Sequence, residues 1–146
     1  MRVLLVNGPN LNLLGARRPE IYGTTTLAEI EELCRTWGAA LGITVETFHS
    51  NHEGAIVDRL HDAIGSADGV VINPGALTHS SYVLHDAIEA IALPTVEVHL
   101  SDITAREPWR AHSVMAAACT ASIAGHGVDG YREALEFLAG AAQAEA

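Results

Sequence analysis

The sequence contains no lysine, and its eight basic residues are all arginines. This absence excludes chemistry that needs a lysine amine, namely Schiff-base catalysis, Walker-type phosphate binding and lysine-dependent phosphorelay. Cysteine is scarce as well, since Cys34 and Cys119 are the only two and show no metal-ligand spacing. We therefore expect reduced, unreactive thiols, as in a reducing compartment.

Aromatic residues make up only 5% of the chain and hydrophobic residues 49%, which predicts an aliphatic core. The sequence has no apolar run of about 18 residues and no signal-like start, so we expect a cytoplasmic protein with no membrane partner. Its net charge of −10 also argues against nucleic acid as a partner. A length of 146 residues predicts a single domain, residues 1–146.

Residues 7–23 form an unusually long connection after the apolar run at 3–6. Strand-to-helix connections usually have roughly 2–6 residues, and longer ones in compact domains are often functional. This one carries leucines that can pack, together with three asparagines, two arginines and a tyrosine that can bind an oxygenated ligand. We interpret it as an active-site loop without regular structure.

Apolar or alternating runs at 43–48, 69–73, 95–99 and 121–124 predict four more strands, separated by helical patterns. Such alternation predicts parallel strands with right-handed crossovers, here a flavodoxin-like five-stranded open sheet of order 2-1-3-4-5 with helices on both faces. Thr26 and Glu29 fit a capping box that opens the first long helix. We expect the inward-facing helical side chains to include Leu33, Leu41, Ile64 and Val83.

Polar residues follow the first, third and fourth predicted strands, at the edge where such sheets bind ligands. Taken singly, each has a structural explanation, as a helix cap, a core histidine or a packing residue, but their convergence favours a site. Glu97 projects to the same side of its strand as His99 and could fix the tautomer of the ring. The remaining histidines show no metal-ligand pattern. The converging residues are Asn10, Arg17, Tyr22, Asn73, His79, His99 and Ser101.

Several motifs in this order resemble the type II 3-dehydroquinate dehydratases, and the resemblance covers essentially the whole chain. Small departures stand at Arg18, Leu77 and His49, and the pair of adjacent arginines leaves the register of the catalytic one to be checked. The matching segments are 7–15, 17, 19–23, 50–54, 73–76, 78–80, 97–101, 105–107, 110 and 112–113.

The resemblance implies an anti elimination of water from 3-dehydroquinate to 3-dehydroshikimate through an enolate, without cofactor or metal. Tyr22 would be the base that takes the C2 proton, and Arg17 would favour its ionised form. Asn10 would help to hold a water that stabilises the enolate, and His99 would protonate the departing C1 hydroxyl. The implied pathway is the shikimate pathway, and quinate catabolism is the alternative.

The resemblance also assigns residues to substrate binding and to assembly. Glu97 and Asn73 would orient His99, and Asp86 would reach into the site of a neighbouring subunit. The family assembles as trimers that combine into dodecamers, so we expect a homo-oligomer. The implied substrate-binding residues are Asn73, His79, Asp86, Leu100, Ser101 and Arg110.

Two other functions are compatible with this fold class. A flavodoxin-type electron carrier needs a phosphate-binding loop rich in Ser, Thr and Gly after the first strand, and the chain has a bulky Asn- and Leu-containing loop there. A response-regulator receiver needs an acidic pair, an aspartate ending the third strand and a lysine. Here Asn7 and Asn73 occupy the strand ends and lysine is absent. The sequence disfavours both alternatives.

Overall fold

The structure is a computed structural model that describes residues 1–16 and 18–145. Five parallel strands form one sheet, in the order second, first, third, fourth, fifth. This order confirms the flavodoxin-like topology predicted from the sequence. The strands are β1 (Arg2–Asn7), β2 (Thr44–His49), β3 (Gly69–Asn73), β4 (Thr95–His99) and β5 (Ala121–Ala124).

Helices cover both faces of this sheet. The side-chain oxygen of Thr26 accepts a hydrogen bond from the Glu29 backbone N–H at 3.2 Å, which confirms the predicted cap. Within the described part of the chain, no helix is both long and apolar enough to cross a membrane. The helices are α1 (Pro19–Tyr22), α2 (Leu27–Ala40), α3 (Glu53–Asp62), α4 (Tyr82–Ile91) and α5 (Asp129–Glu145).

The core has two parts, one on each face of the sheet. Val3 and Leu5 of β1 pack with α2 and α5, whereas Leu4 and Val6 pack with α3 and α4. Successive strand residues point to opposite faces, so a strand covered on both faces is apolar at every position. This explains why β1, β3 and β4 are continuously buried from their second residues onwards.

The connection after β1 is more regular than we expected. It contains a 3₁₀ turn at Leu11–Leu13 and the single-turn helix α1. Leu11 and Leu14 are buried in the core, while Leu13 is half exposed. The loop is therefore anchored from beneath by two of its leucines, and α1 carries Tyr22.

Four side chains predicted to face inward are exposed, and one of them, Leu41, follows the last residue of α2. Ile64 lies in the turn after α3 has ended, and Val83 lies in the first turn of α4. Leu33 is one position off the buried stripe formed by Ile30 and Cys34. Leu41 and Ile64 lie beyond the ends of their helices, which are shorter than the apolar pattern suggested, whereas Leu33 and Val83 lie at helical positions that the core does not cover.

The carboxyl ends of the strands lie at one edge of the sheet. Asn7 and Asn73 are register partners at the ends of β1 and β3, and β4 ends at His99. The loops that follow these strands, together with the 3₁₀ turns at Ile103–Ala105 and Pro108–Arg110, surround a cleft at this edge.

Candidate active site

Eight of the predicted site residues line this one cleft. They come from four separate stretches of the chain, which the parallel sheet brings together at its carboxyl edge. Ile103 and Arg106, to which the sequence had given no role, line it as well. The eight predicted residues are Asn10, Tyr22, Asn73, His79, His99, Leu100, Ser101 and Arg110.

Two glycines let the loops after β1 and β3 touch each other beneath the cleft. A Cβ added to Gly8 would lie 2.6 Å from the carbonyl oxygen of Pro74, and one added to Gly75 would lie 2.9 Å from that of Pro9. Gly75 also has φ +60°, a conformation that side chains disfavour. The paired Gly–Pro and Pro–Gly sequences thus set the distance between the two loops.

Asn10 occupies a left-handed conformation, with φ 71°. Its backbone N–H donates to Oδ1 of Asn51 at 2.8 Å, in the loop after β2. Asparagine tolerates this conformation better than most residues. The contact with Asn51 holds the start of the active-site loop against the sheet edge.

The phenol of Tyr22 is paired with Arg106. Nη1 of Arg106 donates to the phenolic oxygen at 2.8 Å, and the guanidinium carbon lies 5.1 Å from the ring centroid. The same Nη1 lies 3.4 Å from Oγ of Ser101. Nη2 of Arg106 is buried without a hydrogen-bond partner among the described residues, so it is a donor that a ligand oxygen can use.

The imidazole of His99 is held by Glu97. Nε2 of His99 lies 2.6 Å from Oε2 of Glu97, and both side chains are at most 9% exposed. This contact confirms that the two residues share one side of β4. Because Nε2 is occupied by the carboxylate, Nδ1 is the ring nitrogen that remains for a ligand.

The carboxylate of Glu97 also accepts hydrogen bonds from hydroxyl groups on three other segments of the chain. Thr78 donates to Oε2, Ser113 lies 3.0 and 2.9 Å from the two oxygens, and Ser122 lies 3.2 Å from Oε1. Burial raises the pKa of this carboxyl group, but the hydrogen bonds from His99, Thr78 and Ser113 outweigh burial and bring the pKa below its ordinary value. Glu97 is therefore an ionised carboxylate in a nearly solvent-free environment.

Asn73 is buried to 3% exposure at the floor of the cleft. Its Oδ1 accepts from the Gly75 backbone N–H at 3.2 Å, and its Nδ2 donates to the hydroxyl of Tyr131 at 2.9 Å. The orientation of His99 in this structure comes from Glu97, whereas the side-chain contacts of Asn73 are made to Gly75 and Tyr131.

At the opposite wall of the cleft, His79 and Arg110 both pack against the indole ring of Trp109. The guanidinium of Arg110 lies 4.0 Å from the centroid of the Trp109 ring, and the His79 ring contacts the same indole edge-on at 5.4 Å. Nδ1 of His79 is 2.8 Å from the carbonyl oxygen of His112, and Nε of Arg110 is 2.7 Å from Glu107. Both side chains are thus held in place before any ligand binds.

Arg17 is outside the residues that the structure describes. Asp86 is exposed on α4 and does not line the cleft of its own chain. Within residues 1–16 and 18–145, no group of three or more His, Cys, Asp and Glu side chains is placed to hold a metal ion.

A comparison with known protein families identifies the family of this chain. The sequence description of the family "Dehydroquinase class II" matches residues 1–139. The chain belongs to this type II dehydroquinase family. Membership makes it a 3-dehydroquinate dehydratase, a lyase.

Individual relatives agree with the family match. The chain is 53% identical over 137 residues to "Catabolic 3-dehydroquinase 1" of Neosartorya fischeri, covering 94% of this chain and 91% of that protein. It is also 53% identical to "Catabolic 3-dehydroquinase" of Aspergillus oryzae, with 94% and 90% covered.

Solved structures of type II dehydroquinases share the fold. The enzyme from Butyrivibrio crossotus superposes with a TM-score of 0.93 at 41% identity, covering 94% of this chain and 97% of that one. The enzyme from Propionibacterium acnes gives 0.92 at 42% identity, with 95% and 96% covered. The type II dehydroquinase fold therefore extends over almost the whole chain.

Proposed function

We propose that Tyr22 and His99 carry out the anti elimination of water from 3-dehydroquinate. The phenolate of Tyr22 takes the C2 proton, and the electrons of the C–H bond form the enolate. The enolate then expels the C1 oxygen, which leaves as water after accepting a proton from His99. The main support is that both side chains line one cleft, each beside a partner of suitable charge: Arg106 for Tyr22 and Glu97 for His99.

The two partners suit these two roles. A guanidinium cannot lose its proton at neutral pH, so Arg106 stabilises a phenolate without competing for the substrate proton. The carboxylate of Glu97 accepts the Nε2–H of His99, so Nδ1 faces the cleft, and in the imidazolium form Nδ1 carries the proton that an acid delivers. Asn10 would hold the water that stabilises the enolate oxygen, and Arg17 would add a second positive charge near the base.

The substrate carboxylate would bind at the turn after β4. The carbonyl oxygens of Leu100 and Ser101 accept hydrogen bonds from Gly127 and Gly125 at 3.0 and 3.1 Å, which holds this turn in place from behind. A carboxylate can then accept from the backbone and the Ser101 hydroxyl. Arg110, His79 and Asn73 would bind the ring oxygens.

Enone formation from 3-dehydroquinate, followed by absorbance, tests the proposed chemistry. General acid–base groups are typically worth about 10²–10⁴-fold in rate, so Tyr22→Phe and His99→Ala should lower turnover by that order while substrate still binds. Ordinary turnover in either variant would refute the role of the residue that it replaces.

The absence of lysine provides a second test. Because the chain has no lysine, borohydride added with substrate should not inactivate the enzyme. Substrate mass retained on the protein would refute the enolate route.

We also propose that residues 1–146 form one catalytic domain, which assembles into trimers and then dodecamers. Asp86 supports a site shared between subunits, because it is exposed and lies outside the cleft of its own chain. Asp86→Ala should raise KM while each subunit remains folded. Light scattering that shows a fully active monomer would contradict the shared site.

For the biological role we propose the shikimate pathway in the cytoplasm, with quinate breakdown as the second candidate. The two fungal relatives described above are named as catabolic enzymes, which favours the second candidate. Deletion of the gene separates the two. Loss of growth without aromatic amino acids indicates biosynthesis, and loss of growth only on quinate indicates catabolism.

A further inference from the structure

Tyr131 connects helix α5 to the floor of the cleft. It lies near the start of the helix and is fully buried, with 0% exposure. Its hydroxyl lies between two side-chain amides, 2.6 Å from Oδ1 of Asn7 and 2.9 Å from Nδ2 of Asn73. These asparagines are the register partners that end β1 and β3. The sequence pattern had explained this helix only by its amphipathic packing.

The direction of each hydrogen bond in this chain of groups is determined. The backbone N–H of Gly75 can only donate, so the side-chain atom of Asn73 that faces it must be the oxygen. The Asn73 amide nitrogen therefore faces Tyr131, whose oxygen must accept. The single proton of the Tyr131 hydroxyl is then donated to Oδ1 of Asn7. Burial raises the pKa of the Tyr131 phenol, so this proton is retained.

We infer that Tyr131 is a positioning residue that fixes the rotamer of Asn73 in the active site. The inference rests on the proposed role of Asn73 in substrate binding. Nδ2 of an asparagine carries two protons, and Tyr131 accepts one of them. The second proton is thereby directed as a donor for a substrate oxygen, because Asn73 lines the cleft. The Asn73 side chain is held on one side by Gly75 and on the other by Tyr131.

Loss of the Tyr131 hydroxyl has a local consequence. Oδ1 of Asn7 and Nδ2 of Asn73 would both lose a partner, and both residues are nearly solvent-free. Nδ2 of Asn7 already lacks a partner within the part of the chain that the structure describes. Because a buried amide without a hydrogen-bond partner costs free energy, each of these side chains is expected to rotate towards another partner. For Asn73, rotation moves the donor away from its place in the cleft.

The test is Tyr131→Phe, which removes one oxygen and keeps the ring that packs in the core. We expect KM for 3-dehydroquinate to rise and kcat/KM to fall about tenfold, the size expected for a single lost hydrogen bond of about 1.4 kcal/mol. Leu138→Val is the matched control. Leu138 is buried in the same helix but packs at Gly69, the first residue of β3, at the other end of the strand. It should lower Tm without changing KM.

A double-mutant cycle with Asn73→Ala separates positioning from packing. If Tyr131 acts through Asn73, adding Tyr131→Phe to Asn73→Ala should not reduce kcat/KM further. Full additivity of the two losses would overturn the inference, as would wild-type KM and kcat in Tyr131→Phe alone. An Asn73→Ala variant with normal KM and kcat would instead refute the proposed role of Asn73 itself.

A second variant covers the case in which Tyr131→Phe does not fold. Asn7→Ala removes the acceptor of the phenolic proton and leaves the tyrosine in place. The released hydroxyl can then rotate, so KM should rise in the same direction. A folded Asn7→Ala variant with unchanged KM would overturn the inference.

Discussion

Nη1 of Arg106 lies 2.8 Å from the phenolic oxygen of Tyr22, although the two residues are 84 positions apart in the chain. The guanidinium also lies 5.1 Å from the centroid of the tyrosine ring. The hydrogen bond holds the positive charge of the guanidinium beside the phenolic oxygen, and the contact with the ring face restrains the orientation of the tyrosine ring. The side chain of Arg106 is only 12% exposed, so solvent screens this charge weakly.

Arg106→Ala should therefore lower kcat/KM by about 10²-fold or more, because a preorganised charge in a water-poor site contributes several kcal/mol to a developing or resident anion. Arg18→Ala is the matched control. Arg18 is half exposed, pairs with Glu20 at 3.3 Å and should be nearly silent. Steady-state kinetics of both variants give the answer. Near-normal activity of Arg106→Ala would leave Arg17, the cation identified by motif, as the partner of the base.

The sequence could predict the sheet because each strand is a short apolar or alternating run bounded by turn residues. The strand order follows from the alternation with helices and the length of the chain. It could also predict most of the cleft, since Asn73 and His99 are the last residues of buried strands. In a parallel sheet such positions must meet at one edge.

Arg106 and Tyr131 could not be assigned in the same way. Arg106 belongs to the polar stretch after β4, where no periodicity indicates which side chain reaches Tyr22. Tyr131 occupies an inward position of an amphipathic helix, where an aromatic side chain is explained by packing alone. Its role depends on a hydroxyl that meets Asn7 and Asn73, and such contacts between distant segments leave no local pattern. The pattern can also mislead in the opposite direction. The apolar side chain of Val83 fits the helical spacing of buried residues, but it is exposed in the structure.

The close approach of two loops makes Gly75 intolerant of a side chain. Gly75→Ala must accommodate a Cβ 2.9 Å from the Pro9 carbonyl oxygen at φ +60°. We expect a loss of about 1–3 kcal/mol in the free energy of unfolding, together with a raised KM, because Asn73 and His79 flank the displaced turn. Gly140→Ala is the control. It lies in α5 with nothing within 4 Å of the added Cβ, and should stabilise by about 0.5–1 kcal/mol. Chemical denaturation measures both.

Trp109 should affect substrate binding without touching the chemistry. Its ring aligns Arg110 and His79, the two proposed ligands of the ring hydroxyls. A cation–π contact at an exposed site is worth about 0.5–1 kcal/mol, so Trp109→Leu should raise KM about two- to fivefold with little change in kcat. Phe137→Leu changes an exposed aromatic residue of α5 that does not line the cleft, and should leave KM unchanged. A fall in kcat at constant KM would show that Trp109 does not act through binding.

Glu97 gives the protein a specific sensitivity to acid. Its pKa is lowered in the folded state from the ordinary value of 4.5, so the unfolded chain binds the proton more readily. The ionised form of Glu97 therefore contributes its full stabilisation of the fold at pH values above the ordinary pKa of a carboxyl group. This contribution is lost as the pH falls through the lowered pKa of the folded state. Below that point a protonated Glu97 presents a donor to the hydroxyls of Thr78, Ser113 and Ser122, which themselves donate to it at neutral pH.

Glu97→Gln reproduces this state at every pH, because its amide also presents a donor and does not titrate. At pH 6 the variant should unfold at a Tm several degrees below the wild type, as expected for a loss of about 1–3 kcal/mol. As the pH falls from 6 towards 3, the difference in Tm should shrink, because the wild type loses the same contribution. Glu46→Gln serves as the control, since Glu46 is 73% exposed and pairs with Arg59 at the surface. Its Tm should follow that of the wild type throughout. A Tm difference for Glu97→Gln that stays constant down to pH 3 would mean that the ionisation of Glu97 does not stabilise the fold.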